Sequence, residues 1–372
     1  MSRQSEPTIS PQRLLLAREW RGVPQSTLAA DIDVTERTLH NYERTGAPLT
    51  MLPALARALD VQQSFLSLPA PTLEADPDQV FFRARRKTPA RLQRSAAALG
   101  VVGTEVYDWI GDRFTLPSFH DPEIDFENPV QAAAALRALW GLGTAPLPNL
   151  VHIAEARGIR VMTLPLESQD VDAFSFWAGS IPFVFLSRNK SPERSRFDLA
   201  HEIGHIVMHS RSEEDPGTDH DRESEAQRFA SSFLMDPVAL SASLREEAAV
   251  PEILNAKRSF GVSAMALARA LHDAGRTSDW IYRQNCVRLS QLGYRSTELD
   301  SIPRESSRVF SQVFAHLGPQ GARELSGDRG LRMNELRGMT FDIPLAVLSG
   351  ERIGKGPTTR PALRVIPGMA VS

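Results

Sequence analysis

The chain has 372 residues, enough for about two or three domains that each bury a core. Its net charge of −3 excludes a whole-protein field that draws nucleic acid, so any DNA contact must come from a local surface. A single cysteine, Cys286, excludes an internal disulfide and a cysteine-built zinc site, and it fits a reducing cytoplasm. In chain order, the segment Met1 to Pro7 lacks the apolar centre of a secretion signal. Residues 1–68 form the first unit, in which 10–68 read as short helices. Ser10-Pro11 opens the first, Pro24-Gln25 the second, and Thr35 caps a third that runs from Glu36 to Glu43. The brief Asp31-Ile32-Asp33-Val34 turn between the second and third suggests a helix-turn-helix. Residues 69–79, rich in proline and acid, read as a linker, and the basic run Arg83, Arg85, Arg86 and Lys87 follows it.

Residues 95–113 and 129–157 carry helical apolar periodicity, and Gly158 to Leu164 alternates as a strand does. Ala173 to Trp177 and Ile181 to Leu186, separated by Ala178-Gly179-Ser180, predict a hairpin. A strand beside a metal-binding helix offers an edge on which an extended peptide can pair. The same stretch is the longest apolar candidate for a membrane span, but Gly179 and Pro182 interrupt it and it is too short. The expectation is therefore a soluble cytoplasmic protein without a membrane partner.

Ser191-Pro192 then starts a helix that contains His201-Glu202-Ile203-Gly204-His205. On a helix, positions i and i+4 lie about 40° apart around the axis and one turn along it. His201 and His205 can thus reach one Zn²⁺, with Glu202 beside them as general base for a water. Gly204 leaves room for a close neighbour. A hydrolytic zinc site needs a third protein ligand, and the helix pattern Ala226, Phe229, Ala230, Phe233 places Glu223 on the inward face, with Glu225 as the other candidate. Gln227, one turn after Glu223, is positioned to hold a ligand imidazole. His209 lies about 12 Å along the axis from His201, too far to share an ion, and reads as structural or surface. Asp219, His220 and Asp221 read as a solvated loop. Helical stretches continue to Met339 with 301–349 as a small helical module, and residues 350–372 read as a loose tail.

Two resemblances rest on these residues. Leu14-Leu15-Leu16-Ala17-Arg18-Glu19, Gln25-Ser26-Thr27-Leu28-Ala29 and Thr35 to Arg44 resemble the DNA-binding domain of the XRE (phage Cro/C1-type) repressors. That resemblance implies that Gln25 touches a phosphate and that the third helix, capped by Thr35, turns Glu36, Arg37, His40 and Asn41 to the major groove of an operator. Two departures accompany it. Asp33 stands where such domains usually have Gly, and residues 1–70 balance 7 Arg with 7 acids. Asp172 to Trp177, Ser195 to His205 and Glu223 to Ala230 with Phe233-Leu234-Met235 look like the ImmA/IrrE metallopeptidases, over roughly residues 80–300. Here Gln227 takes the place of the Asp or Asn that follows a gluzincin ligand Glu, and Asp236 interrupts the usual Leu-Met-Pro.

The resemblances imply an α+β, mostly helical chain: an all-α helix-turn-helix domain followed by a zincin-like, minimal gluzincin domain with a small sheet beside the active-site helix. They imply a transcription regulator fused to a zinc endopeptidase, with a DNA operator, an XRE-type repressor as substrate and a second copy of itself as partners. The competing class is a non-proteolytic DNA-binding sensor whose zinc is structural. A third is a protein-interaction module in which the helix-turn-helix pairs proteins.

Overall fold

The computed structural model describes residues 8–73, 80–81, 89–124, 126–164, 173–209, 219–343 and 363–365. The basic run at 83–87 and most of the expected linker and tail lie outside these residues. The chain is mostly helical with small sheets.

Thr8–Ile9 (β1) leads into Pro11–Trp20 (α1), whose N-cap Ser10 accepts a hydrogen bond from the backbone N–H of Arg13. Gln25–Asp31 (α2) and Glu36–Thr45 (α3) follow, and the side chain of Thr35 caps α3 by accepting from Thr38 N–H. The turn between them requires a left-handed residue, and Asp33 supplies it at φ 55°. Asp is among the few non-glycine residues that tolerate this region, which explains why the expected Gly is dispensable there. Ala47–Pro48 (β2) pairs with β1, and Leu52–Ala58 (α4) and Gln63–Ser67 (α5) complete this part.

Val80–Phe81 (β3) precedes Ala90–Gly111 (α6), a helix buried on nearly every side from Ala96 to Ile110. A helix that is apolar all round belongs in an interior, and α6 is wedged between α1 and the sheet. The guanidinium of buried Arg13 on α1 donates to both carboxylate oxygens of Glu105 on α6, at 2.9 and 2.6 Å, and also to the carbonyl of Pro69. Phe114–Thr115 (β4) follows. The apolar run at 129–157 is two helices, Pro129–Leu139 (α7) and Leu150–Ala156 (α8), because Gly141, Pro146 and Pro148 interrupt it and Asn149 caps the second.

Arg160–Thr163 (β5), Phe174–Ala178 (β6) and Ile181–Leu186 (β7) complete a four-stranded sheet of order β3-β6-β7-β5, antiparallel except for β5 against β7. Its period-2 alternation divides the interior. Phe174, Phe176, Phe183 and Phe185 face α6 and join one core with the N-terminal helices, while Val184 and Leu186 face the opposite core. Phe174 stacks on Phe185 and Phe176 on Phe183. The edge expected to lie open on the hairpin is partly covered: β3 pairs antiparallel with β6, Val80 opposite Phe176 and Phe81 opposite Ser175.

On the second face lie Pro192–Met208 (α9) and Asp219–Leu234 (α10), packed against each other and against α7. Asp219 and Asp221, expected in a loop, belong to the first turn of α10. Pro237–Ser243 (α11), Val250–Phe260 (α12), Ala264–Asp273 (α13) and Asp279–Gln291 (α14) extend this core. Arg308–Asp328 (α15), kinked at Gly318-Pro319, and Met333–Met339 (α16) return to the first core. Residues beyond 300, expected as a separate small module, pack among the described residues against the N-terminal helices and the sheet. Gln62 donates to the carbonyl of Leu331, Arg21 pairs with Glu335, and Thr163 donates to the carbonyl of Gly338 at 2.6 Å. Arg364–Val365 (β8), inside the expected tail, pairs with β4. No helix among the described residues is long and apolar enough to cross a membrane.

Candidate metal centre

The site is built where α9 crosses beneath the hairpin. Ser191 caps α9 by accepting from Arg194 N–H, and Pro192 occupies its first turn. Ile203, Ala200 and Val207 anchor the helix in the second core, and the remaining face carries His201, Glu202 and His205, all buried. The neighbouring helix α10 is held by Ala226, Phe229, Ala230 and Phe233, each fully buried, as its periodicity predicts. Close approach of the two helices depends on Gly204: a Cβ there would lie 2.8 Å from Cδ1 of Phe229.

This packing brings three donor groups together. Nε2 of His201 and Nε2 of His205 are 3.0 Å apart. Glu223 Oε1 lies 3.0 Å from His201 Nε2, and its Oε2 lies 3.8 Å from His205 Nε2. A tetrahedral ion with bonds of about 2.0–2.2 Å separates its ligand atoms by roughly 3.3–3.6 Å, so these distances bracket what one ion requires. Two imidazoles and a carboxylate are a donor set suited to a divalent transition metal. Among the described residues, His201, His205 and Glu223 form the group that could hold a metal ion. Without one, burial disfavours the charged forms, but the ion-pair contacts outweigh it: His201 and His205 hold Glu223 well below the usual carboxylate range, and the carboxylates of Glu223 and Glu202 raise His201.

Glu225, the other candidate, is not in this group. Its carboxylate lies 2.9 Å from Nε2 of His209, and Nδ1 of His209 lies 2.9 Å from Nδ1 of His205. His209 is buried, and it occupies the position beside a ligand imidazole expected for Gln227. Gln227 is exposed and lines a groove between α10 and α13 instead. The spacing that excludes His209 as a ligand is measured from His201. The overlooked signal was its i+4 relation to His205, one turn away.

Glu202 points at the sheet. Ser175 alternates with Phe174 and Phe176, so its side chain faces α9, where its hydroxyl donates to Glu202 Oε2 at 2.6 Å. Burial pushes the Glu202 carboxyl up to about 7, with His201 and the Ser175 hydrogen bond pulling it down. Nothing in the sequence alone marked Ser175, because its role follows from strand register.

Residues 154–272 match the family model of the IrrE N-terminal-like domain, Peptidase_M78. The match runs from the end of α8 to α13 and contains the sheet strands β5, β6 and β7, both site helices and every donor named above. It supports the ImmA/IrrE resemblance and a metallopeptidase of that type. No curated protein matches the chain.

The N-terminal residues singled out from sequence lie away from this centre. Thr35, Glu36, Arg37, His40 and Asn41 are exposed on one side of α3, while Leu39 on the other is fully buried. Gln25 is half-buried, and its amide donates to Glu43, which also pairs with Arg18.

Proposed function

We propose that this protein is a zinc-dependent endopeptidase joined to a DNA-binding helix-turn-helix, and that it cleaves a regulatory protein such as an XRE-type repressor. The observation that carries the proposal is the convergence of His201, His205 and Glu223 with Glu202 beside them on α9. His201, His205 and Glu223 would hold the metal. Bound zinc supplies a Lewis acid that makes water acidic enough to attack an amide near neutral pH. Glu202, as carboxylate, accepts the proton of the attacking water and passes it to the departing amine nitrogen as the peptide C–N bond breaks. Ser175 fixes the orientation of that carboxyl through its hydrogen bond.

The DNA-binding half is supported by the exposed face of α3, where Arg37, His40 and Asn41 offer donors suited to base edges and phosphates. Gln25, held by Glu43, stands at the start of α2, where a phosphate contact would fall. Cytoplasmic residence, a repressor substrate and a homodimer on DNA belong to the same proposal.

Two observations favour the non-proteolytic alternative. Glu202 is buried, and the neighbouring strand edge at Ser175 is already paired. The deciding experiment expresses wild type and Glu202→Gln beside repressors encoded nearby. Specific clipping by wild type but not by the variant supports the peptidase. Intact repressors in both, with zinc bound, favour the sensor.

A further inference from the structure

We infer that His209 and Glu225 select the tautomer of His205 and so set the metal affinity of the site; this rests on the metal-centre proposal above. The reasoning starts at the outer end of a chain of contacts. An ionised carboxylate can only accept hydrogen bonds. The 2.9 Å contact between Glu225 Oε2 and His209 Nε2 therefore places a proton on that nitrogen.

A neutral imidazole carries one ring proton, so His209 Nδ1 is a bare acceptor. It faces His205 Nδ1 at 2.9 Å, and the hydrogen between the two rings must then belong to His205. With its proton on Nδ1, a neutral His205 leaves Nε2 bare. That is the atom turned toward His201 and Glu223. A half-exposed carboxylate on α10 thus dictates which nitrogen of a buried ligand on α9 is free for a metal.

The arrangement also resolves why two glutamates stand so close on α10. Glu223 enters the donor cluster, while Glu225 acts through His209 as a positioning residue. His205 and His209 are both buried, so water competes little for these contacts. Partners of this kind typically change metal affinity about 10–100-fold when removed.

The test uses the full chain stripped of metal and titrated with Zn²⁺ against a chromophoric chelator. His209→Leu keeps an apolar volume but removes the acceptor, and Glu225→Gln removes the obligate acceptor at the outer end. Both are expected to weaken zinc binding about 10–100-fold. His209→Gln, whose carbonyl can still accept from His205 Nδ1, is expected to stay within about threefold of wild type. Nitrogen-15 spectra of the metal-free protein should show His205 as the Nδ1–H tautomer in wild type and as a mixture in Glu225→Gln.

Wild type that binds no zinc overturns the metal centre itself. Wild type that binds, with Glu225→Gln and His209→Leu equal to it, overturns only the positioning role. Equal loss in His209→Gln and His209→Leu, with unchanged His205 spectra in Glu225→Gln, assigns His209 to packing instead. Glu225 is half-exposed, so its variant remains informative if His209→Leu does not fold.

Discussion

Ser175 on β6 donates its hydroxyl to Glu202 on α9 across the sheet–helix interface, at 2.6 Å. The contact ties the expected proton acceptor to a strand rather than to the metal donors. Glu202→Gln keeps a hydrogen-bonding group of the same shape and leaves all three donors in place. It is expected to retain one zinc per chain while losing hydrolysis by about 10²–10⁴-fold. Metal content by atomic absorption together with cleavage of a co-expressed repressor checks this, and normal cleavage by the variant would remove Glu202 from the mechanism.

Gly204 separates packing from chemistry. A Cβ at this position meets Phe229 at 2.8 Å. Gly204→Ala combines that clash with the roughly 1 kcal/mol gain of Ala over Gly in a helix, so its net effect on stability should be small. Gly204→Val adds bulk without that gain and should destabilise by about 1–3 kcal/mol. By parting α9 from α10 it should also weaken zinc binding. Urea unfolding and a zinc titration of both variants check the order; Val and Ala behaving alike would mean that the helices have slack here.

A pH dependence is expected away from the metal centre. Glu155 on α8 accepts hydrogen bonds from Ser307, Arg308 N–H and Val309 N–H, covering the N-terminus of α15. Burial pushes its carboxyl up to about 7, against the pull of those donors. The folded state therefore holds this proton more tightly than the unfolded state does. Stability from this group is full below pH about 4.5 and is lost as pH rises through about 7, a change on the order of 3 kcal/mol. Glu155→Gln cannot ionise, so the stability difference between wild type and variant should fall from pH 5 to about 7 and level off by pH 8. Unfolding midpoints across that range measure it, and a constant difference would contradict the buried proton.

The exposed face of α3 gives a test independent of catalysis. Arg37→Ala should weaken binding to the protein's own upstream DNA by about 1–3 kcal/mol if Arg37 reads a base, and Glu202→Gln should leave binding unchanged. Electrophoretic mobility shifts at two salt concentrations check both. Undiminished binding by Arg37→Ala would move the DNA contact elsewhere or remove it.

The parts legible in sequence were those governed by local periodicity. His201 and His205 share a helix face at i and i+4, and Ala226, Phe229, Ala230 and Phe233 declare the buried side of α10. The same periodicity favours Glu223 over Glu225 as the third donor, and Glu223 is the one that lies with the two imidazoles; how α10 lies across α9 is not itself written in that pattern. His209, read as a structural or surface residue, is buried and lies outside the donor group; its contact with Glu225 was not legible because that partner comes from another helix. Least legible was the return of α15 and α16 to the N-terminal core. Contacts such as Arg21 with Glu335 join residues far apart in sequence, and no short window displays them.

The pairing of Val80 and Phe81 with β6 bears on how any outside polypeptide reaches the centre. A visiting strand that adds beside Ser175 must displace a rival carried by the same molecule, which is present at the high effective concentration that tethering creates. On the proposed peptidase reading, loose affinity for arbitrary unfolded chains is expected, with admission of sequences whose contacts elsewhere repay the exchange.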